Sequence, residues 1–252
     1  MSRRARSHTL SDPEEARVRA REQALTDLAF SGGTEVVFVR HDLPSLGTSF
    51  VAEVLERAGK LGFLAAEVPL FGDRGFDALD SLVRAIARNI AAPGRETLRG
   101  LVALLEAFAE KRQKTAAEVF ETRVELEGAR GDLTELCRSY LAARTGPKRQ
   151  AQRIDRWLSG TEIRRSEAAD VEPVGALSPR TAKRTLAELS RLVRALGHEG
   201  MLLIFSGGEV LARLPEARRR NTYTVLRELI DNVDGGRGLV ATEILVDRKS
   251  VV

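Results

Sequence analysis

Side chains that commonly carry nucleophilic catalysis or bind transition metals are few in this sequence and lie far apart. The single cysteine, Cys137, excludes an internal disulfide and a cysteine-based zinc site, and its apolar helical surroundings predict a buried thiol. The three histidines, His8, His41 and His198, are too widely separated to show the spacing of a metal site. Ser206 lies in the segment FSGGE, which differs from the G-x-S-x-G turn of serine hydrolases. The sequence therefore indicates neither a metal site nor a catalytic triad.

Clusters of basic residues are a second feature with recognisable chemistry. Clustered Lys and Arg side chains neutralise phosphates, which favours contact with nucleic acid. The alternative is a set of solvated helix faces with acidic neighbours. No recognition helix or RNA-binding motif is present, so we expect any DNA binding to be almost independent of base sequence. The candidate DNA-binding residues are Lys148, Arg149, Arg153, Arg156, Arg180, Lys183 and Arg184.

The composition is that of a globular protein with a modest basic excess. The formal net charge is +4, which permits nucleic-acid contact without requiring it. Aromatic residues make up only 5% of the chain, so the core must consist mainly of Leu, Val, Ala and Ile, as in helices packed on a sheet. No apolar run reaches the length of a membrane span, and the basic amino terminus lacks the apolar stretch of a signal peptide. These observations predict a cytoplasmic protein that does not contact a membrane.

The pattern of apolar residues predicts an α/β fold with a parallel sheet. Residues 35–40 and 63–69 read as strands, with a loop at residues 41–47 and a helix from about residue 49 between them, which is a βαβ unit. The apolar segment 201–205 predicts a central strand, and residues 239–246 predict the last one. Residues 76–158 look helical almost throughout. We therefore expect a basic arm and helix (1–33), an α/β core (34–75 and 178–252) and a helical insertion (76–177).

A longer segment, RTLAELSRLVRALGHEGMLLIFSGGEVLARLPEARRRNTYTVLRELIDNVDGGRGL at residues 184–239, carries a family resemblance. Its helix, Gly-rich turn, apolar strand and LRELID element resemble the Walker B region of P-loop ATP-binding proteins from BREX-type bacteriophage-exclusion systems, an AAA-like ATPase family. The segment WLSG at residues 157–160 is similar to another element of that family. The resemblance implies a three-layer P-loop fold, ATP with Mg²⁺ as the ligand, and other defence subunits as partners.

The stretch that corresponds to the family's Walker A motif departs from it. That motif, GxxxxGK[ST], wraps phosphates with backbone N–H groups, and its Lys reaches the β- and γ-phosphates. Residues 42–49 here read DLPSLGTS, so Asp42 replaces the first Gly and Thr48 replaces the Lys. Loss of the Lys removes a charge-assisted contact of roughly 1.5–3 kcal/mol. The residues that the resemblance assigns to nucleotide binding are Ser45, Gly47, Thr48, Ser49 and Glu209.

The Walker B motif is altered as well. The family's Asp binds the Mg²⁺ shell and its Glu orients the attacking water, whereas the corresponding residues here are Ser206 and Gly207. Glu209 is an acid two residues further on. Only six residues follow Val246, so we expect the family's C-terminal lid to be absent.

These departures lead to three hypotheses. The first is a degenerate, non-hydrolysing P-loop domain that acts as a partner or scaffold in a phage-defence or DNA-associated system. The second is a weak ATPase with atypical motifs, and the third is a sequence-independent DNA-binding protein on an ATPase-derived fold. We also expect self-association or binding to another subunit of the system.

Overall fold

The computed structural model of the protein describes residues 12–41, 44–70, 76, 78–94, 98–143, 147–161, 175–231 and 238–249. The described strands are β1 (Thr34–His41), β2 (Leu64–Pro69), β3 (Met201–Ser206) and β4 (Thr242–Lys249). The described helices are α1 (Asp12–Ser31), α2 (Pro44–Lys60), α3 (Leu79–Asn89), α4 (Leu101–Arg112), α5 (Ala116–Glu127), α6 (Asp132–Ala142), α7 (Pro147–Leu158), α8 (Pro179–Ala195) and α9 (Glu216–Ile230). Short 3-10 helices occupy Gln113–Thr115 and Gly208–Arg213.

The four strands form one parallel sheet in the order β1-β4-β3-β2. The chain therefore crosses from one edge of the sheet at β1 to the other at β2, and then returns so that β4 lies between β3 and β1. Helix α2 makes the crossing and contacts β1, β2 and β4. The predicted parallel α/β fold is confirmed, and its strand order is a feature that the sequence pattern did not reveal.

Alternating residues of the strands bury two separate apolar layers, as the two-residue period of a strand requires. Met201, Leu203 and Phe205 of β3 point into one core, while Leu202 and Ile204 point into the other. The second core is completed by residues of α1 and α2, among them Val18, Leu25, Phe50 and Val54. The first core contains residues of α3 to α8. The sheet thus lies between two helical layers, which is the three-layer arrangement predicted from the sequence.

The segment between β2 and β3 is helical, as predicted. Its extended pairing includes isolated antiparallel bridges of Ala91 with Ala65 and with Arg99, and none of its described residues forms a longer strand. Helices α3, α5 and α6 pack on α8, and their apolar residues share one core with the sheet, so these helices cover a face of the sheet. Cys137 is fully buried in this core, and burial raises the pKa of its thiol. The division of the chain into three sequence regions stays a prediction.

A buried carboxyl group joins α8 to the amino end of α6. The Glu188 carboxyl accepts hydrogen bonds from the Thr134 N–H at 2.5 Å and from the Thr134 hydroxyl at 2.7 Å. The unsatisfied N–H groups in the first turn of a helix favour a carboxylate at this position. Burial raises the pKa of Glu188 even though both hydrogen bonds lower it. A β-carbon at Gly131 would collide with this carboxyl group, which accounts for a glycine before α6.

Several element boundaries differ from those predicted, among them both ends of β4 (Thr242–Lys249) and the start of α2. Strand β4 begins at Thr242 rather than at residue 239, because Ala241 has a left-handed φ of 44° and interrupts the extended backbone. Helix α2 begins at Pro44, five residues before the predicted start. In the described residues, no helix has both the length and the apolar character to cross a bilayer.

Candidate functional site

All four strands are parallel, so their carboxyl ends lie at one edge of the sheet. Open α/β sheets bind ligands at this edge, where the strand order reverses. The residues predicted to bind nucleotide belong to two segments that reach it. Ser45, Gly47, Thr48 and Ser49 lie in the first two turns of α2, directly after β1. Glu209 lies in the 3-10 helix that follows β3.

The junction between β1 and α2 is much shorter than predicted. Strand β1 extends through His41 and α2 begins at Pro44, which leaves only residues 42 and 43 between them. The predicted loop at residues 41–47 is therefore wrong. Proline is favoured in the first turn of a helix, because its φ is already helical and its missing N–H would have no intrahelical partner there. Gly47 and Thr48 consequently have helical backbone, so they do not form a loop that wraps a phosphate.

The amino end of α2 still has some affinity for anions, since the first N–H groups of a helix have no partner within it. A Walker A loop surrounds a phosphate with several such groups and adds a Lys ammonium. Here Pro44 lacks an N–H and residue 48 is Thr. The amino end of α2 therefore keeps the weak attraction for anions of any helix terminus. It lacks the wrapping loop and the Lys, which make the motif specific for a triphosphate.

The segment that the resemblance assigns to the Walker B motif lies at the end of β3. Ser206 is the last residue of that strand, and its carbonyl oxygen accepts a hydrogen bond of 2.8 Å from the Leu70 N–H. Gly207, at the position of the family's Glu, is buried and has a left-handed backbone with φ 86° and ψ 29°. A residue with a β-carbon would be strained in this conformation. The backbone at residue 207 therefore suits the glycine that the sequence has there.

The sheet separates the two candidate segments by one strand. Because β4 lies between β1 and β3, the ends of β1 and β3 are about 10 Å apart. Asp247 near the end of β4 is paired in register with Val39 and is only 4% exposed. This acid was not among the residues predicted to form the site. The signal that could have identified it is a charged residue directly after the apolar run Ile244-Leu245-Val246 at the end of a buried strand.

These residues do not fit ATP with Mg²⁺ in the manner of the family motifs. The positions that the resemblance assigns to the Walker A Lys and to the two Walker B acids hold Thr48, Ser206 and Gly207, and the segment that follows Pro44 is helical. The buried carboxyl group of Asp247 adds an acid to the edge where a triphosphate would need positive charge. No group of three or more His, Cys, Asp or Glu side chains in the described part of the chain could hold a metal ion.

The residues predicted to bind DNA lie on α7 and the first turns of α8. Lys148, Arg149, Arg156, Arg180, Lys183 and Arg184 are exposed, and Arg153 is half-buried. The two helix ends are adjacent, because the Leu177 N–H, just before α8, donates a hydrogen bond of 3.1 Å to the Trp157 carbonyl in α7. Arg184 approaches Asp132 at 3.5 Å, so part of this charge is neutralised locally. DNA binding by these residues stays a prediction.

Comparison with known proteins identifies the family. No curated protein and no solved structure matches the chain. A family model described as "BREX system ATP-binding protein BrxC/D" matches residues 15–242, which include the whole sheet up to the first residue of β4 and every described helix between its strands. The chain therefore belongs to the BrxC/D family of BREX system ATP-binding proteins.

Proposed function

We propose that this member of a phage-defence family is a degenerate P-loop domain that does not hydrolyse ATP at a normal rate and acts as a partner or scaffold subunit. The junction between β1 and α2 is the observation that carries the proposal. With two residues between the strand and the helix, the backbone has too few N–H groups available to surround a triphosphate.

The changes at β3 support the same conclusion independently. Hydrolysis needs an acid to hold Mg²⁺ and a second acid to orient water. Ser206 has no charge, and Gly207 has no side chain. One altered residue could be compensated by its neighbours, but two altered segments on different strands remove both phosphate binding and water activation.

A structural role agrees with what the chain retains. The sheet and both helical layers are intact, and the apolar cores extend over almost every described element. A fold that keeps its packing after losing its catalytic residues can still present surfaces to the other subunits of the system. Retention of the fold without the chemistry is the pattern expected of a scaffold.

Calorimetric titration with ATP, with and without Mg²⁺, tests the proposal. We expect no binding in the micromolar range under either condition. The variant Thr48→Lys should bind ATP no more than a few-fold better than the unmodified chain, because residue 48 lies within the helix. Thr122→Lys, which adds the same charge on the exposed surface of α5, is the matched control.

A second variant distinguishes the effect of the missing Lys on ATP affinity from the effect of the missing loop. Asp42→Gly, Pro44→Gly and Thr48→Lys together restore the glycine, release the helix start and supply the charge. This triple variant should exceed Thr48→Lys alone in ATP affinity. Micromolar affinity of the unmodified chain for ATP would contradict the proposal. An ATP affinity of Thr48→Lys alone that equals that of the triple variant would contradict it as well.

A further inference from the structure

A group of basic side chains lies at the amino edge of the sheet, on the side opposite the candidate nucleotide site. We call Lys111, Arg112, Arg123 and His198 the amino-edge cluster. Lys111 and Arg112 end α4, Arg123 lies on α5, and His198 lies in the turn between α8 and β3. Three separate elements thus bring two guanidinium groups, an ammonium group and an imidazole close together. The six residues of β3 separate this place from the carboxyl edge by about 20 Å.

The two guanidinium groups converge on Gly197. A β-carbon at this residue would lie 3.0 Å from Arg123 Nη1 and 3.7 Å from Arg112 Nη2, so both nitrogens are close to the same point. The two nitrogens are therefore no more than about 6.7 Å apart, and the exposed Gly197 beside them has a left-handed φ of 94° and no side chain. Arg112 is held over the Phe108 ring at 4.1 Å, and Arg123 Nη1 donates a hydrogen bond of 3.2 Å to the Arg194 carbonyl. Both side chains are therefore fixed before any ligand binds.

The positive charge of the amino-edge cluster is not neutralised within the described part of the protein. The ion pairs there include Arg194 with Glu127 at 2.7 Å and Arg138 with Glu121 at 3.0 Å, but none that involves Lys111, Arg112 or Arg123. Burial and then the charge of Arg123 lower the pKa of Arg112, which indicates two like charges held near each other. Such an arrangement costs free energy, and an anion between the charges would offset that cost.

We propose that the amino-edge cluster binds a phosphate oxyanion between Arg112 and Arg123. A guanidinium presents paired N–H donors that match the oxygens of a phosphate, and two converging guanidinium groups can hold one phosphate from two sides. Lys111 adds a third cation near His198, whose pKa it lowers. The phosphate belongs either to a small phosphorylated compound or to a nucleic-acid backbone.

Titration of the chain with inorganic phosphate at low ionic strength tests the site. Arg112→Gln should lose at least about tenfold in affinity, because a charge-assisted contact is removed. Arg130→Gln, which removes an exposed Arg from the turn before α6, is the control and should bind phosphate as the unmodified chain does. Arg112→Lys keeps the charge and should retain part of the affinity. Equal affinity of the Arg112→Gln and Arg130→Gln variants would overturn the proposal.

The imidazole of His198 provides a readout that does not depend on affinity. Burial lowers its pKa, and Lys111 and Arg123 lower it further, while the Gly62 carbonyl and Glu199 act in the opposite direction. A bound phosphate would stabilise the imidazolium and raise this pKa in an NMR titration of the ring proton. We expect that rise in the unmodified chain and not in Arg112→Gln. An unchanged His198 titration at tens of millimolar phosphate would also overturn the proposal.

Competition with a short DNA oligonucleotide identifies the source of the phosphate. Displacement of inorganic phosphate by DNA, with DNA affinity that falls in Arg112→Gln and with rising salt, assigns the site to a nucleic-acid backbone. Binding of inorganic phosphate that DNA does not displace assigns it to a small phosphorylated compound. If neither phosphate nor DNA binds to the cluster, the proposal is wrong.

Discussion

Glu243 of β4 shares one arginine, Arg21, with the more exposed Glu35 of β1. Its side chain is fully buried, and its Oε1 lies 3.3 Å from Arg21 Nη1 of α1. The same nitrogen lies 3.2 Å from Glu35 Oε1 on the neighbouring strand. Loss of water around Glu243 raises its pKa to about 7, and the nearby Glu35 raises it as well, while Arg21 lowers it. This carboxyl group therefore titrates within the range of common buffers.

The raised pKa of Glu243 makes the stability of the protein depend on pH. The folded chain holds the proton more tightly than the unfolded chain, whose Glu has a pKa near 4.5, so stability is lost as the pH rises through about 7. Between about pH 5 and pH 8, the free energy of unfolding should fall by roughly 3 kcal/mol relative to Glu243→Gln.

Urea denaturation of the unmodified chain and of Glu243→Gln at several pH values measures this difference in the free energy of unfolding. Glu125→Gln, which changes an exposed acid on α5, should leave the pH profile of the unmodified chain unaltered. Parallel profiles for the unmodified chain and Glu243→Gln would show that the buried carboxyl does not titrate in this range.

At the scale of elements, the residues that directly precede β3 and β4 lie close together. The Leu64 N–H donates to the Gly200 carbonyl at 3.0 Å, and the Met201 N–H donates to the Ala241 carbonyl at 2.9 Å. A β-carbon at Gly200 would collide with that Ala241 carbonyl oxygen and would lie 2.6 Å from the Phe63 ring. The register between three neighbouring strands therefore depends on a residue without a side chain.

Gly200→Ala should consequently destabilise the fold. Backbone and ring atoms would both have to move, so we expect a loss of about 3 kcal/mol in the free energy of unfolding. Gly128→Ala is the comparison, because its left-handed φ of 64° strains alanine while no atom lies within 4 Å of the new β-carbon. That change should cost only about 1 kcal/mol. Thermal or urea denaturation measures both, and equal losses would mean that steric contact at Gly200 is unimportant.

At the scale of the whole molecule, β1 forms an edge of the sheet. It pairs with β4 on one side, and among the described residues no strand pairs with its other side. Phe38 on this strand is 63% exposed. An eight-residue edge with an exposed aromatic ring can pair with a second chain, and proteins seldom leave such an edge uncovered. We therefore expect self-association or subunit binding at β1.

Phe38→Lys should weaken this association, because a charge on an edge strand opposes pairing with another chain. Sedimentation at tens of micromolar should show an oligomer for the unmodified chain and a smaller species for the variant. Leu126→Lys, at an exposed apolar residue of α5, controls for the loss of apolar surface elsewhere and should sediment as the unmodified chain does. A strictly monomeric unmodified chain would contradict the expectation.

The sequence by itself determined the class of fold and the residue types at the positions that the resemblance assigns to the family's motifs. Strand segments such as Met201–Phe205 and the helical pattern of residues 76–158 are local signals, since the period of apolar residues depends only on the element that buries them. Thr48, Ser206 and Gly207 are visible as substitutions without any coordinates. These signals led to the predictions of a parallel sheet, of a helical segment and of impaired hydrolysis.

Only the tertiary structure decided where those elements meet. The strand order, which inserts β4 between β1 and β3, depends on packing between residues some 200 positions apart and leaves no local trace in the sequence. The same holds for Asp247 at the carboxyl edge and for the convergence of Arg112 and Arg123 on Gly197. The early start of α2 at Pro44 was missed because a helix-starting proline and a loop proline look alike in sequence. Local patterns specify elements, whereas long-range contacts decide which side chains form a site.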